Sequence, residues 1–298
     1  VTFGHAFRAL VPHIQAHRKR LFVCLLLLFG TTAMSLAWPW LVQKAIDGPL
    51  TEQLSRDIAA RTFMPLVAFG VAILLIQATN LVFQYFQRIK LETVGQDIML
   101  NLRRTLFRHI LRQDISFFDK HPVGRLMARV ESDTESLRLL FTNTVVLVVG
   151  DLVLILGIWS VMIYMEWRLG LLVFGLFPVI IGLVYIFHKI TTHRFLEVRK
   201  RMAAITATLA EFLHGMSIVQ IFHRGDYARD RVYRVNERKF SEDAYVNIAV
   251  CIFFNTLFFL EYIKIGMVLF LGVLWGITPG TIVLFILLIW REFDPIAR

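Results

Sequence analysis

Six blocks of almost uninterrupted apolar residues recur along this chain, and few folds can accommodate them. They lie near residues 21–42, 63–86, 139–165, 169–187, 246–274 and 277–296, each close to or above the ~20 residues that a helix needs to cross a bilayer core. A soluble fold would have to bury all six in one core. With 298 residues, 57% of them hydrophobic, and a mean hydropathy of +0.63, the chain has the make-up of a polytopic membrane protein. The expected fold is an all-α membrane protein with six transmembrane helices and long cytoplasmic helical extensions. Arg291, Glu292 and Asp294 interrupt the last block.

Lys and Arg in the connections set the orientation. Arg8, Arg18, Lys19 and Arg20 precede the first block, and the segments 88–138 and 188–243 are dense in Arg. The short connections carry only Lys44, Arg56, Arg61 and Arg168. Both long segments and both termini are therefore expected in the cytoplasm. The net charge of +10 is read as this bias and not as a nucleic-acid surface. Cys24 and Cys251 both fall inside apolar blocks, so neither a disulfide framework nor a metal cluster is expected. Phe3 to Ile14 is an amphipathic segment suited to an interfacial elbow helix within residues 1–18. No cleavable signal is apparent. The chain starts at Val1 and stops at Arg298 where a polar exit should follow, so truncation is expected.

Asp114 to Asp133, DISFFDKHPVGRLMARVESD, is a polar turn between two helical patterns. Leu102, Leu106, Ile110 and Leu111 recur at helical spacing before it, and Leu126, Val130 and Leu137 after it. Pro122 should break the helix, Gly124 should adopt angles other residues resist, and Asp119 should cap a short new helix. Roughly 25 residues separate the turn from the preceding block, about 38 Å of helix. Phe117 and Phe118 at its tip either pack on their own flanking helices or form a docking knob for a partner below the membrane. The second excursion breaks near Gly215 and again at Gly225 and Asp226, an offset of about 100 residues from the first. A channel needs no such paired stalks. A machine receiving force from below does.

Polar residues inside the blocks are the other candidates. Gln77, Asn80, Gln84 and Gln87 are spaced three, four and three apart, one stripe along a helix. Such amides either hold helices together or wall a hydrated cavity. Asp151 lies within the third block, Glu261 and Lys264 lie in the fifth at a pairing distance along one face, and Arg291 lies in the sixth. Glu261 and Lys264 are either a neutralised pair facing the bundle interior or part of a translocation path. Trp38, Pro39 and Trp40 suit an interface and a kink. No G-x-x-x-x-G-K-[ST], H-E-x-x-H or G-x-S-x-G occurs, and His188 and His193 fall on different helix faces. No catalytic residue and no metal site are expected on this chain.

Phe117, Phe118, Asp119, Gly124, Leu126, Arg129, Val130 and Asp133 resemble the F-F-D-x-x-x-x-G-x-L-x-x-R-[VIL]-x-x-D pattern of the first cytoplasmic loop in ABC exporters. Leu102, Arg103, Leu106 and Phe107 resemble the run leading into it. Glu211, Gly215, Met216, Val219 and Phe222 are similar to the family's second-loop pattern, and Pro295 falls where a late Pro is frequent. Gln220 stands where Lys is common, and Gly225, followed by Asp226, stands three after Phe222 where an acidic residue is usual. The resemblance, to the six-helix bacterial multidrug and lipid exporters, covers essentially residues 1–298. It implies one half of a homo- or heterodimer, in the bacterial inner membrane among its lipids, that exports a lipid, drug or peptide by alternating access. It also implies a nucleotide-binding domain beyond residue 298, holding ATP and Mg, which would make the assembled protein an ATP-hydrolysing translocase. Phe117, Phe118, Asp119, Gly124, Arg129, Asp133, Gly215, Gln220 and Phe222 would couple to that domain. Gln77, Asn80, Gln84, Asp151, Glu261, Lys264 and Arg291 would border the path. A passive channel or a structural scaffold is the rival reading, and a phosphate-binding loop beyond Arg298 would decide against it.

Overall fold

Backbone groups inside a bilayer must be satisfied within their own segment, and no strand occurs among the described residues. A computed structural model describes residues 18–51, 64–120, 122–139 and 146–297. The elbow at Phe3 to Ile14, Arg8, Arg56, Arg61 and the start of the third block lie outside them. Helix α1, Arg18–Ala45, runs through Pro39 into a π-helical turn, Ile46–Leu50. It is followed by α2, Met64–Ile110; α3, Ile115–Lys120; α4, Val123–Leu139; and α5, Val146–Met165. Beyond it come α6, Trp167–Gly175; α7, Phe177–His214; α8, Met216–Ile221; α9, Gly225–Leu274; and α10, Pro279–Ala297.

Among the described residues, five stretches are long and apolar enough to cross a membrane: Arg18–Leu50, Met64–Ile110, Leu147–Met165, Trp167–His214 and Gly225–Leu274. The chain is a multi-pass integral membrane protein. The 47 residues of α2 and the 50 of α9 would span about 70 and 75 Å, far beyond the ~30 Å of a hydrocarbon core. The sixth block forms α10, kept outside that group by its three charged residues. Its face Leu284, Phe285, Leu288 and Ile289 is wholly buried and continues into the buried Glu292. Glu292 is therefore carried on a packed helix face, whereas Arg291 is half-buried and Asp294 is exposed.

The described residues up to Trp167, with Val268–Ile296, form one compact unit, and Arg168–Met267 forms another. In the first, α1 and α2 run antiparallel: Arg20 pairs with Asp97, and Thr31 with Gln87. Helix α4 folds back along α2, Leu137 packing on the core of Val94, Ile98 and Met99. Gly157 on α5 leaves room for Leu36, since a Cβ there would come within 2.8 Å of it. In the second, α7 and α9 run antiparallel, with Phe187 stacked on Phe253 at 4.1 Å and Arg194 bonded to Glu242 at 3.0 Å.

An ionic cluster fastens α2 to α4. Arg138 reaches Glu92 at 2.8 Å and Glu135 at 2.6 Å, and Arg103 donates to Thr134 at 3.0 Å. The hydrogen bond from Arg138, above all, holds the Glu135 carboxyl below its ordinary range. A depressed folded value means that the stabilisation is present at neutral pH and is lost as pH falls through that value. Glu135→Gln should therefore flatten the acid limb of a melting-temperature profile and lower the neutral plateau slightly. An unchanged acid limb would refute this.

Candidate functional site

The two excursions end in short helices with apolar faces, α3 and α8. At the first, the chain leaves α2 through Asp114, whose carbonyl accepts from the Phe117 N–H at 3.0 Å. Phe117 and Phe118 are half-buried and meet edge to face, with centroids 5.7 Å apart. Ile115, which sequence reasoning passed over, is the more exposed at 82%. Period alone cannot detect it, because a six-residue helix shows less than two turns of pattern.

Two local expectations are corrected. Asp119 lies exposed inside α3 and does not cap a new helix; α4 instead starts after Pro122, whose carbonyl accepts from Arg125 and Leu126 at 3.0 and 3.2 Å. Gly124 is an ordinary helical residue of α4, and a Cβ there would meet nothing within 4 Å. Gly124→Ala should thus be neutral or stabilise by up to about 1 kcal/mol, through helix propensity and lost unfolded-state freedom. A markedly lower melting temperature for this variant would show that the backbone there does need Gly. Arg129 and Asp133 lie on the exposed side of α4.

At the second excursion, Gly215 closes α7, its N–H bonded to Glu211 at 2.9 Å. Ile218, Ile221 and Phe222 then stand exposed, with Gln220 beside them. The expected break at Gly225 and Asp226 falls earlier. Among the described residues His223 is the one non-Gly residue with positive φ, +51°, and Gly225 already begins α9.

Within the first unit, α1, α2, α5 and α10 line an open cavity of about 490 Å³. Thr31, Thr32, Ser35, Gln84 and Gln87 supply hydroxyls and amides, and Arg88, Asp151 and Arg291 supply charge. A second chamber of about 320 Å³ shares Ser35, Gln84 and Arg291 with it and adds Trp38, Gln77 and Asn80. A third, about 150 Å³, shares Leu28, Gln87 and Leu91, and is otherwise lined by Leu21, Cys24, Leu25 and Val149. The residues of the amide stripe divide between two settings. Thr31 donates to Gln87 at 3.4 Å, tying α1 to α2, while Gln77, Asn80 and Gln84 face the chambers. Arg88 and the α1 hydroxyls were missed, although Thr31, Thr32 and Ser35 follow helical spacing. Hydroxyls on an apolar helix usually bond their own backbone, as Thr31 does to Leu28 at 2.8 Å, and so carry little signal.

Glu261 and Lys264 do not line these chambers. They lie in the second unit, about 3% and 1% exposed, with Nζ 2.7 Å from Oε1. Glu292, 1% exposed, accepts from the Trp159 indole at 3.2 Å.

The start of α10 is held by α1. Thr278 precedes Pro279, and Asp47, on the π-helical turn, accepts from the Thr278 hydroxyl and the Gly280 N–H, both at 2.7 Å. Gln43 donates to Thr281 at 2.9 Å. A carboxylate at a helix N-terminus caps it and opposes its dipole. A Cβ on Gly280 would come within 2.5 Å of both the Asp47 carboxyl carbon and the Gln43 carbonyl oxygen. Gly280→Ala should therefore cost about 1–3 kcal/mol as overpacking, read as a lower melting temperature in detergent. An unchanged melting temperature would mean that the two helix ends are not held as closely as this.

Residues 21–291 match the model of the ABC transporter transmembrane region. The chain is 27% identical over its whole length to the ATP-dependent lipid A-core flippase of Desulfotalea psychrophila, covering 51% of that protein. It is 26% identical, over 98% of the chain and 48% of the relative, to the protein of the same name from Syntrophus aciditrophicus. The multidrug resistance-like ATP-binding protein MdlB of Buchnera aphidicola is 23% identical over 74% of the chain and 37% of its own length. The chain thus spans about half the length of the first two of these relatives. With helices throughout its described residues and a family match from residue 21 to residue 291, the chain belongs to the ABC transporter transmembrane family.

Proposed function

We propose that this chain is the membrane-spanning half of an ATP-driven exporter, which carries a lipid, drug or peptide cargo out of the cytoplasm by alternating access. One observation carries the reading: each long excursion ends in a short helix, α3 or α8, that presents apolar side chains to solvent. Aromatic and aliphatic anchors of this kind fill pockets on partner proteins. The partner is a nucleotide-binding domain, and the second membrane half is another chain of the same fold. Both termini and both excursions face the cytoplasm, and the membrane is the bacterial inner membrane.

Mg·ATP is assigned in this reading to the nucleotide-binding domain. The sequence has no phosphate-binding loop, and the described residues hold no cluster of three His, Cys, Asp or Glu that could take a metal ion. Its own residues instead enclose cargo and receive motion. A passive channel would need neither α3 nor α8. The deciding experiment reconstitutes the full-length protein in liposomes and follows cargo movement with ATP, with ADP and with ATP plus vanadate. Nucleotide-independent flux at the same rate would overturn the exporter reading.

A further inference from the structure

We propose that His223 is a specificity-determining contact of the second excursion. Ile221 and Phe222 enter an apolar groove on the nucleotide-binding domain, and the imidazole beside them supplies the hydrogen bond that fixes how α8 seats. The inference rests on reading α8 as a docking helix and adds the residue that orients it.

The backbone beyond α8 supplies the first observation. The His223 N–H bonds to the Gln220 carbonyl at 3.1 Å, and the Arg224 N–H reaches back to the Val219 carbonyl at 2.9 Å. This pair of bonds ends a helix through one residue in the left-handed region, a place that Gly usually takes and Asn sometimes does. Here the residue is His223, with φ +51°. A Cβ makes that conformation costly, so the turn alone would form more easily with Gly. Gly225, two positions on, instead begins α9, where a Cβ would meet nothing within 4 Å. Residues held at such angles gather at functional sites.

The side chain supplies the second. His223 is exposed, and its Nδ1 lies 3.3 Å from the Ile221 carbonyl. A carbonyl can only accept, so Nδ1 donates, and Nε2 is left for a partner. One long bond inside its own turn does not offset a strained backbone. The use of this ring therefore lies outside the chain.

The third observation is what surrounds it. Ile218, Ile221 and Phe222 are 63%, 72% and 69% exposed. Apolar burial is non-directional, so anchors of this kind hold a helix in a groove without fixing its rotation. A hydrogen bond has a preferred direction and does fix it. His223 directly follows the last anchor, and its bond to Ile221 tethers the ring. The nearby Asp226 is already engaged by Arg229 at 3.2 Å.

The test uses the full-length protein in nanodiscs, with cargo-stimulated ATP hydrolysis and melting temperature as readouts. His223→Gly and His223→Ala both remove the imidazole, and only Gly takes left-handed angles freely. Stimulation should fall about fivefold in both, the equivalent of one hydrogen bond, while the Gly variant melts higher than the Ala variant. His223→Asn, polar and tolerant of the same angles, should keep more stimulation than either. A Gly variant stimulated as strongly as the unmodified protein would show that His223 serves the turn alone, which overturns the proposal. Equal melting of the Gly and Ala variants would remove the strain on which it stands, and an Asn variant no better than Gly would remove the hydrogen bond. Ile221→Ser separates these outcomes from the docking reading. If it lowers stimulation and His223→Gly does not, only the proposal falls; if neither lowers it, α8 is not a docking helix and both fall.

Discussion

Replacing Glu261 by Gln, or Lys264 by Met, is expected to cost more stability than replacing both together. Their charged atoms lie 2.7 Å apart, and the two side chains are 4% and 1% exposed. Removing one member of a buried ion pair costs about 3–5 kcal/mol in comparable cases, whereas an apolar replacement of both is often near neutral. The measurement is thermal unfolding in detergent for the two single variants and the double one. Strongly positive coupling in the cycle is the expected result. If the double variant loses the sum of the singles, the two groups do not act as a pair. The spacing alone allowed such a pair; burial on both sides is what makes its disruption costly.

The other large effect belongs to the turn at α3. Phe117→Ala with Phe118→Ala should leave insertion, dimerisation and nucleotide binding intact, while cargo no longer accelerates ATP hydrolysis. Losing aromatic anchors from an interface removes about 2 kcal/mol or more of docking energy. The two rings also pack on each other, so part of any loss could be local. Ile115 gives the cleaner variant. At 82% exposure it has little packing to lose within this chain, so Ile115→Ser should reduce coupling with no change in melting temperature. Cargo-stimulated hydrolysis in full-length protein is the readout, and unchanged stimulation in both variants would remove the coupling role assigned to α3.

The membrane class, the helical content and the two long excursions were legible in the sequence, because apolar length and Pro or Gly punctuation act locally. A run of ~20 apolar residues has few alternatives to a membrane helix whatever surrounds it. For the same reason the charges at Arg291, Glu292 and Asp294 could be noticed as an interruption, but not placed. Only packing reveals that α10 carries Glu292 to the Trp159 indole and Arg291 to the wall of two chambers. Turn chemistry was less readable. Gly124 and Asp119 look like turn formers by type, yet both are helical, and the left-handed position falls on His223. Backbone angles in a short turn depend on how the flanking long helices meet, and residue type only biases them.

Non-local contacts were beyond reach of the sequence. Asp47 and Gly280 are separated by 233 positions, and nothing near either one predicts that a carboxylate from α1 caps α10 without room for a Cβ. The amide stripe shows the opposite balance. Its spacing placed Gln77, Asn80, Gln84 and Gln87 on one face of α2, since helical period is a property of the segment. What that face meets, Thr31 of α1 at one level and open chambers at another, was decided by how close α1, α2 and α5 approach, and therefore by tertiary packing.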